Sequence, residues 1–471
     1  MRLGDLTGID SEAVVTGFAI DHRNVTKGNV FGAFRGQRFD GECFITEAVA
    51  LGAVAVVARP EATVVGVAHI ADAEPRRRFA SLAGKYYGPY PQVIVAVTGT
   101  NGKTSTVEMA RQMWRMAGHR SASIGTLGVT TADDQVKTGL TTPDIVTFLS
   151  NMAGLERMGV SHVAYEASSH GLDQFRSEGL PVTAAAFTNF SRDHLDYHPD
   201  MDSYFAAKMR LFDEVVADGG TAVVWTGDAK SDAVIEHCRA RGLTLITVGP
   251  GAETIALVEQ VPTPLGQRLV LRHAGKEHQL TLPLIGAYQA NNVLTAAGLL
   301  LATGSKWDDT LSAMGRVSPV RGRLERAVIS RVGAPVYVDY AHTPDALEAA
   351  IAALKPHVKG KLITVFGAGG DRDTGKRAPM GAVAARMSDV AIVTDDNPRT
   401  EDPAKIRDEV MEGAIGATEI GDRRAAIAEA IKLAGPGDIV LVAGKGHETG
   451  QVIGDRVLPF DDALVARECA A

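Results

Sequence analysis

Short apolar runs alternate with amphipathic stretches along most of the chain. In its first part, apolar runs at residues 30–34 and 54–58 predict strands, and residues 42–52 between them have a helical period. Residues 86–92 are rich in proline and aromatic side chains, which is typical of a linker. We therefore predict a small α/β domain at residues 1–90.

The middle of the chain repeats the order strand, loop, helix. Residues 93–97 predict a strand that leads through a glycine-rich loop into a helix at residues 105–118. Residues 255–283 alternate in short runs, which indicates an antiparallel hairpin. Further strands are predicted at residues 162–166, 184–188 and 222–225, and a helix at residues 289–303. This alternation favours a mostly parallel sheet, which we assign to a central domain at residues 91–315.

A second alternating series fills the rest of the chain and predicts a third domain at residues 316–471. Its predicted strands are residues 336–339, 361–366, 390–394 and 438–443, and its predicted helices are residues 345–355, 380–387 and 406–414. Such a series is typical of a doubly wound, Rossmann-like sheet. The predicted fold class is thus α/β, with a small amino-terminal domain, a central P-loop domain and a doubly wound carboxyl-terminal domain.

Composition agrees with this picture and excludes several classes of protein. A length of 471 residues suggests about three domains. The net charge of −8, without a basic run, argues against a nucleic-acid surface. Three widely spaced cysteines indicate reduced thiols rather than a disulfide scaffold. No run reaches the ~18 apolar residues of a membrane span, and residues 1–25 lack the pattern of an export signal. We expect a cytoplasmic protein.

The loop TGTNGKT at residues 98–104 is the strongest chemical signal. Its glycines allow backbone N–H groups to point at phosphate oxygens, and the helix that follows adds its positive end. Lys103 would reach the outer phosphates of a nucleotide, and Thr104 would offer its hydroxyl to Mg²⁺. Val97 stands where the general GxxxxGK[ST] pattern has its first glycine, so this is a shortened form of that loop.

This short loop resembles that of the Mur ligases and their relatives, the folylpolyglutamate synthetases. Downstream segments in the same order resemble the diaminopimelate-adding, MurE-type Mur ligases over nearly the whole chain. These segments are YEASSHGLDQFR (165–176), TNFSRDHLDYHPDMDSYFAAK (188–208), PVRGRLE (319–325), YAHTPDAL (340–347), GAGGDRDTGKR (367–377), DDNPRT (395–400) and GKGHE (444–448).

The resemblance implies an ATP site with Mg²⁺. It assigns catalysis to Lys103, Glu166, His194 and Lys208, and metal binding to Thr104, Glu166, His194 and Lys208. The implied ATP contacts are Gly99, Thr100, Asn101, Gly102, Lys103, Thr104, Ser105, Asn292, Arg323, Asp339 and His342. The resemblance also implies that Lys208 is carbamylated, which converts an ammonium into an oxygen-rich anion suited to Mg²⁺.

Two segments also have features of sites for other ligands. Asp193, His194, Asp196 and His198 could suggest zinc, but zinc needs three or four assembled ligands and no cysteine is near. The GAGGD segment could suggest a dinucleotide loop, but Arg372 replaces the last glycine of GxGxxG. Both readings are therefore disfavoured.

The resemblance also implies the contacts of the other substrates. For the UDP-muramoyl-dipeptide these are His22, Thr141, Thr142, Ser168, Gln174 and Arg176. For diaminopimelate they are Arg372, Asp396, Asn397, Arg399, Gly444 and Glu448. His22 replaces the serine usual in this pocket, and Gln37 stands where some relatives carry histidine. Arg399 is expected to select the amino acid, because a guanidinium binds a carboxylate through two hydrogen bonds and lysine lacks the distal carboxylate.

The resemblance implies a monomeric ligase that adds meso-2,6-diaminopimelate to UDP-N-acetylmuramoyl-L-alanyl-D-glutamate, through an acyl phosphate and with ATP held between the second and third domains. The alternatives are a lysine-adding or folate-polyglutamylating ligase of the same superfamily and a nucleotide-binding module without catalysis. Arg399 argues against lysine, and the TTPD and SSHGL segments argue against folate. Lys103, Glu166, His194 and Lys208 together argue against a non-catalytic module.

Overall fold

The computed structural model describes residues 1–36, 39–195, 197–263 and 266–471. The chain divides into two compact units. The first consists of Met1–Ala256 and Leu294–Ala313, and the second of Leu257–Val293 and Met314–Ala471. Within the described ranges, no helix has both the length and the apolar character needed to cross a bilayer.

The amino-terminal part of the first unit contains a four-stranded parallel sheet in the order β1-β2-β3-β4. The predicted strands 30–34 and 54–58 correspond to β2 and β3, which are fully buried. The predicted helix 42–52 is shorter, because a 3-10 turn at Gly41–Phe44 precedes it. The elements are α1 Leu3–Thr7, β1 Gly17–Ala19, β2 Asn29–Gly32, α2 Ile45–Ala50, β3 Ala55–Ala58, β4 Ala68–Ala71 and α3 Pro75–Tyr87. Because α3 reaches Tyr87, the predicted linker begins later than expected.

The rest of the first unit is built around a larger sheet with the strand order β12-β11-β10-β5-β9-β6-β7-β8. Strands from β12 to β6 run parallel, and β7 and β8 turn back antiparallel at the edge. The elements are β5 Val93–Thr98, α4 Lys103–Met116, β6 Ser121–Gly125, β7 Gly128–Thr130, β8 Gln135–Val136, α5 Ile145–Arg157, β9 His162–Glu166, α6 Ser169–Asp173, β10 Val182–Phe187, α7 Met201–Arg210, β11 Val216–Trp225, α8 Ser231–Ala240 and β12 Thr244–Gly249.

The chain then passes from the first unit into the second. Strand β13 pairs in parallel with β12 at Ile255 and Ala256. The predicted antiparallel hairpin is therefore confirmed for β14 and β15 but is wrong for the start of β13. The elements of this passage are β13 Ile255–Thr263, β14 Gly266–His273, β15 Lys276–Leu282, α9 Ala287–Ala302 and α10 Trp307–Met314.

The carboxyl-terminal part of the second unit is a doubly wound sheet in the order β16-β17-β21-β18-β19-β20, parallel except for β16. Leu362 and Phe366 of β18 pack with helices α11 to α13, whereas Ile363 and Val365 pack with α14 and α15. The elements are β16 Glu325–Ile329, β17 Pro335–Asp339, α11 Pro344–Leu354, β18 Leu362–Phe366, α12 Arg377–Met387, β19 Val390–Val393, α13 Pro403–Met411, β20 Thr418–Glu419, α14 Arg423–Leu433, β21 Ile439–Ala443, β22 Gly450–Ile453, β23 Arg456–Pro459 and α15 Asp462–Ala470.

The predicted α/β class and the doubly wound carboxyl-terminal sheet are confirmed. The central sheet and the carboxyl-terminal sheet bury apolar strands between helices, as the continuous apolar runs predicted. The domain boundaries after residues 90 and 315 remain predictions.

Candidate active site

The glycine-rich loop leaves the carboxyl end of β5 and enters α4. In the sheet register Val97 lies opposite Glu166 of β9, and Thr98 lies opposite Phe187 of β10. The segments that follow β9 and β10 therefore meet the loop at one edge of the sheet, where parallel α/β sheets bind ligands. Lys103 and Thr104 lie in the first turn of α4, two residues earlier than the predicted helix start at Ser105.

A segment after β10 braces the loop. The Thr188 hydroxyl donates to the Asn101 carbonyl at 2.6 Å, and Asn189 Oδ1 accepts from the Asn101 amide at 2.8 Å. The amide of Thr100 donates to the Asn189 carbonyl at 2.9 Å. Side chains and backbone from the TNFS segment therefore fix the loop from the side of β10.

Two lysines approach the same carbonyl of this loop. Lys103 Nζ donates to Gly99 O at 2.8 Å and to Thr100 O at 2.7 Å, and Lys208 Nζ donates to Gly99 O at 2.8 Å. Lys208 is 1% exposed, with its ammonium 4.3 Å from the ring centroid of Tyr204. Burial, and then the charge of Lys103, hold the pKa of Lys208 well below its usual value.

Glu166 at the end of β9 is a buried carboxylate that lies beside the loop. Its Oε2 accepts from the Thr104 hydroxyl at 3.0 Å, and its Oε1 accepts from the Thr126 amide at 2.7 Å. A carboxylate and a hydroxyl in contact at a phosphate loop are hard oxygen donors of the kind Mg²⁺ prefers. The residues present therefore fit the implied metal.

His194 adjoins the same region. Its ring lies 5.8 Å from the ring of Tyr204, which Lys208 also contacts, and its Nε2 lies 3.4 Å from Asp193 Oδ2. Burial lowers the pKa of His194 to about 4, so the imidazole is neutral at pH 7. Asp196, the remaining aspartate of the DHLDYH segment, lies outside the described residues.

The residues predicted to bind the muramoyl peptide form one network at the end of β9. The Thr142 hydroxyl lies 2.8 Å from the Glu166 carbonyl and 2.9 Å from Ser168 Oγ. Arg176 joins this network by donating to the Thr142 carbonyl at 3.1 Å and to Gln174 Oε1 at 2.6 Å. The hydroxyl of Thr141 lies 3.1 Å from that of Thr126, which contacts Glu166. This network is therefore connected directly to the predicted metal site.

His22, the residue predicted for the uridine pocket, lies in a 3-10 turn between β1 and β2. His22 stacks on Phe44 with ring centroids 4.2 Å apart and an interplanar angle of 2°. Its Nε2 lies 3.4 Å from Glu47 Oε2. Gln37, the other departure noted in this pocket, lies outside the described residues.

The second unit gathers the remaining predicted ATP contacts. Asp339, at the end of β17, accepts from the amides of Leu324 and Ala341 at 2.7 and 2.9 Å, and burial raises its pKa to about 6. The Arg323 guanidinium and the His342 ring flank Tyr340, at 4.8 and 4.6 Å from its centroid. Separately, Asn292 donates to Gln289 at 3.2 Å, and Gln289 donates to the Arg323 carbonyl at 3.2 Å.

The predicted diaminopimelate residues lie at the carboxyl ends of β19 and β21. Asn397 donates to Glu448 Oε2 at 2.8 Å. Arg399, whose φ of +54° places it in the left-handed region, donates through Nη1 to the Gly370 carbonyl at 2.7 Å. Asp396 and Asn397 are buried, and Arg399 is half-buried. Arg372 is exposed, so the structure does not bring it into this buried group.

Sequence reasoning missed several residues that the structure places here. Asn189 and Lys445 belong to the quoted segments TNFS and GKGHE, so their motifs were available as signals. Thr126 follows β6 in no recognised motif. Arg423 is fully buried, pairs with Asp462 and donates to the carbonyls of Asp395 and Ala443, joining the ends of β19 and β21. Its position at the start of a helix gave no sign of that role.

Comparison with known proteins gives a consistent result. Residues 97–300 match the middle domain of Mur ligases, and residues 322–446 match the Mur ligase glutamate ligase domain. The chain is 58% identical to a UDP-N-acetylmuramoyl-L-alanyl-D-glutamate–2,6-diaminopimelate ligase of Zymomonas mobilis, over 96% of this chain and 94% of that protein. The ligase of the same name from Caulobacter vibrioides is 48% identical, over 98% and 97%. A solved structure of a ligase of this name is 31% identical with a TM-score of 0.74, covering 100% of this chain and 98% of the other.

Proposed function

The chain belongs to the Mur ligase family, and we propose that it is an ATP-dependent ligase that adds meso-2,6-diaminopimelate to UDP-N-acetylmuramoyl-L-alanyl-D-glutamate in peptidoglycan precursor synthesis. The observation that carries this proposal is the 58% identity to a ligase of that name over 96% of the chain. The arrangement of Lys103, Glu166 and Lys208 around one phosphate loop gives the proposal a chemical basis.

The proposed reaction has two steps. First, the terminal phosphoryl group of ATP moves to the D-glutamyl carboxylate, which gives ADP and an acyl phosphate. The amine of diaminopimelate then attacks the acyl carbon, the amide forms, and phosphate leaves while the amine loses its proton. Lys103 would exchange its two loop carbonyls for phosphate oxygens and stabilise the charge in transfer. No protein nucleophile is required.

We propose that Thr104, Glu166, His194 and a carbamylated Lys208 hold Mg²⁺ beside the loop. Magnesium would neutralise charge on the phosphates when bound. The low pKa of Lys208 favours the neutral amine that reacts with CO₂. The neutral ring of His194 has a lone pair free to accept a proton or a cation.

The other substrates are assigned to the networks described above. Thr141, Thr142, Ser168, Gln174 and Arg176 are proposed to bind the muramoyl peptide, and His22 the uridine end. Asn292, Arg323, Asp339 and His342 are proposed as further ATP contacts. We propose that the enzyme acts in the cytoplasm as a monomer.

Arg399 is proposed to select the amino acid. Its Nη1 is held by the Gly370 carbonyl, which fixes the direction of the guanidinium while other N–H groups remain for a carboxylate. Diaminopimelate offers a distal carboxylate to these groups. Lysine would leave them desolvated and unpaired, which opposes its binding.

The test compares amino acids with the wild-type enzyme and an Arg399→Ala variant. We expect phosphate release to require UDP-N-acetylmuramoyl-L-alanyl-D-glutamate and Mg²⁺, with kcat/KM far higher for diaminopimelate than for lysine. Arg399→Ala should lose roughly 2–5 kcal/mol with diaminopimelate, the cost of breaking a buried charge pair, and little with lysine. The KM for ATP should stay near the wild-type value.

Each alternative gives a different result in this assay. Wild-type preference for lysine, or for glutamate on a folate acceptor, would replace the substrate assignment. Nucleotide binding without amide formation with any amino acid would indicate a non-catalytic module. An undiminished preference for diaminopimelate in Arg399→Ala would remove Arg399 as the selecting residue.

A further inference from the structure

Lys445 is a fully buried lysine to which the proposed reaction assigns no role. Its Nζ lies 2.9 Å from Asn397 Oδ1 and 3.1 Å from Glu448 Oε2. Asn397 Nδ2 donates to the same Glu448 Oε2 at 2.8 Å. Lys445, Asn397 and Glu448 thus form a closed triad, and two of its members are residues proposed to bind diaminopimelate.

The backbone beside Lys445 and beside its partner Asn397 is closely held. Gly444 has φ of +118°, and a Cβ added there would lie 2.4 Å from Asp396 Oδ2, so the loop after β21 passes directly against the loop after β19. On the other side, the Val452 amide donates to Asn397 Oδ1 at 2.9 Å. The Asn397 oxygen therefore accepts from two fixed donors, Val452 and Lys445.

The triad fixes how Glu448 is presented. Both described hydrogen bonds to its carboxylate fall on Oε2. These two bonds to Oε2 also fix the direction in which Oε1 points. Because the Glu448 side chain is 31% exposed, a ligand can reach Oε1. A carboxylate oxygen held in this way suits the ammonium of an amino acid.

The triad also sets the local charge. Lys445 places a positive charge 3.1 Å from Glu448 Oε2, on the carboxylate proposed to receive the distal ammonium. The distal end of diaminopimelate is a zwitterion, so its own carboxylate offsets its ammonium. The distal end of lysine is a lone ammonium, which the charge of Lys445 repels. Without Lys445 that repulsion is absent, and a lone ammonium binds more favourably.

We propose that Lys445 is a second specificity-determining residue, which positions Glu448 for the distal ammonium of a zwitterionic amino acid and disfavours an amino acid that carries a distal ammonium alone. The proposal rests on the proposed function. It differs from the role of Arg399, because Lys445 acts through Glu448 and through its own charge rather than by contact with the distal carboxylate.

The test is Lys445→Met, with kcat/KM measured for diaminopimelate, for lysine and for 2-aminopimelate, which carries the distal carboxylate without the ammonium. We expect the diaminopimelate-to-lysine ratio and the 2-aminopimelate-to-lysine ratio each to fall by about tenfold or more. The KM for ATP should change little. Lys445→Gln retains hydrogen-bond donors without the charge, so it should keep more diaminopimelate activity while still lowering both ratios.

The controls separate specificity from folding. Lys432→Met makes the same chemical change at an exposed lysine paired with Glu429, and both ratios should stay at the wild-type value. In a Glu448→Gln background, Lys445→Met should change the diaminopimelate-to-lysine ratio much less, since the two residues act together.

One result would overturn the inference. Unchanged ratios in both Lys445 variants, with or without an equal loss of kcat/KM for all three amino acids, would leave Lys445 with a structural role alone. A wild-type enzyme that does not use diaminopimelate would instead contradict the proposed function, so the two failures are distinguishable.

Discussion

Lys208 illustrates how the surroundings of one residue change its chemistry. Its amine is buried, shares the Gly99 carbonyl with Lys103 and rests on the ring of Tyr204. Burial and the neighbouring charge of Lys103 both disfavour a positive charge on Lys208. The neutral amine can attack CO₂, forming an N–C bond and releasing a proton, so that one cation beside the phosphate loop becomes an anion with two oxygens. Such an anion could serve Mg²⁺ together with Glu166.

We therefore predict that Lys208→Ala lowers kcat by about 100-fold or more, since it removes a proposed metal ligand and even outer partners of metal ligands cost 10–100-fold. Short carboxylic acids should restore part of the rate by supplying the missing oxygens. Lys230→Ala is a matched control, because Lys230 also lies over an aromatic ring, at 5.1 Å from that of Phe205. Full wild-type activity after verified removal of CO₂ would contradict the carbamate.

The same residue marks the limit of sequence reasoning at this scale. A lysine in a helical stretch is by default a surface residue, and only the resemblance singled out Lys208. Its burial depends on how α7 packs against the loop after β5, residues more than a hundred positions away. Lys445 belongs to the GKGHE segment, but its burial had no signal in that segment, because one of its two partners, Asn397, comes from another loop.

At the scale of elements, helix α3 is joined closely to the segment before β10. Arg77 of α3 pairs with Glu178 and Glu214, at 3.4 and 2.6 Å. Further along the helix, Gly84 approaches the backbone of Gly179, and a Cβ on Gly84 would lie 2.0 Å from the Gly179 carbonyl oxygen. Since backbone cannot move as a flexible side chain does, this contact requires glycine.

Gly84→Ala should therefore destabilise the protein by about 1–3 kcal/mol through overpacking, although alanine alone favours a helix by roughly 0.5–1 kcal/mol over glycine. Gly154→Ala within α5 is the matched control. Its nearest new contact is the end of the Arg157 side chain at 3.8 Å, so it should be neutral or stabilising. Urea unfolding of both variants measures the difference. Equal stability of the two variants would show that α3 can shift without cost.

The elements themselves were largely predictable, because their cause is local. Continuous apolar runs fixed the buried parallel strands, and the ends of predicted and observed strands mostly agree within a residue or two. The error at α13 has a local cause too: Asp402 caps the helix and Pro403 occupies its first turn, a start signal that lies before the predicted residues 406–414. The predicted helix at residues 42–52 is present but begins later, at Ile45, because Asp40 caps a 3-10 turn that precedes it.

At the scale of the whole molecule, the order of motifs along the chain was enough to identify the family. Contacts between motifs were not predictable, because they depend on which strand ends are adjacent in the sheets. Glu166 reaches the phosphate loop because of the register in which β9 pairs with β5. The ends of β19 and β21 are joined because Arg423 donates hydrogen bonds to the carbonyls of Asp395 and Ala443. Neither arrangement has a signal in linear spacing.

One buried histidine links the stability of the molecule to pH. His162, at the start of β9, is 7% exposed and packs beside Trp114 and His119, with ring centroids 5.2 and 4.0 Å away. Burial, and then the charge of His119, lower the pKa of His162 from 6.5 to about 4. In the unfolded chain His162 therefore takes up a proton below pH 6.5, whereas in the folded chain it does so only below about pH 4. Stability from this group is present above pH 6.5 and is lost as the pH falls through that window.

Between pH 7 and pH 5 the loss should amount to about 2 kcal/mol from His162, because each unit of pKa difference corresponds to 1.36 kcal/mol. Urea unfolding followed by tryptophan fluorescence should show it, since Trp114 adjoins the histidine. His162→Gln is expected to lower stability at pH 7 by disturbing this packing, but to flatten the dependence on pH by about that amount. His278→Gln, at a half-buried histidine of β15, is the control for the replacement of a histidine by glutamine. Identical slopes for His162→Gln and the wild type would mean that the sensitivity to acid arises from other groups, because removing the titrating ring must remove its proton linkage.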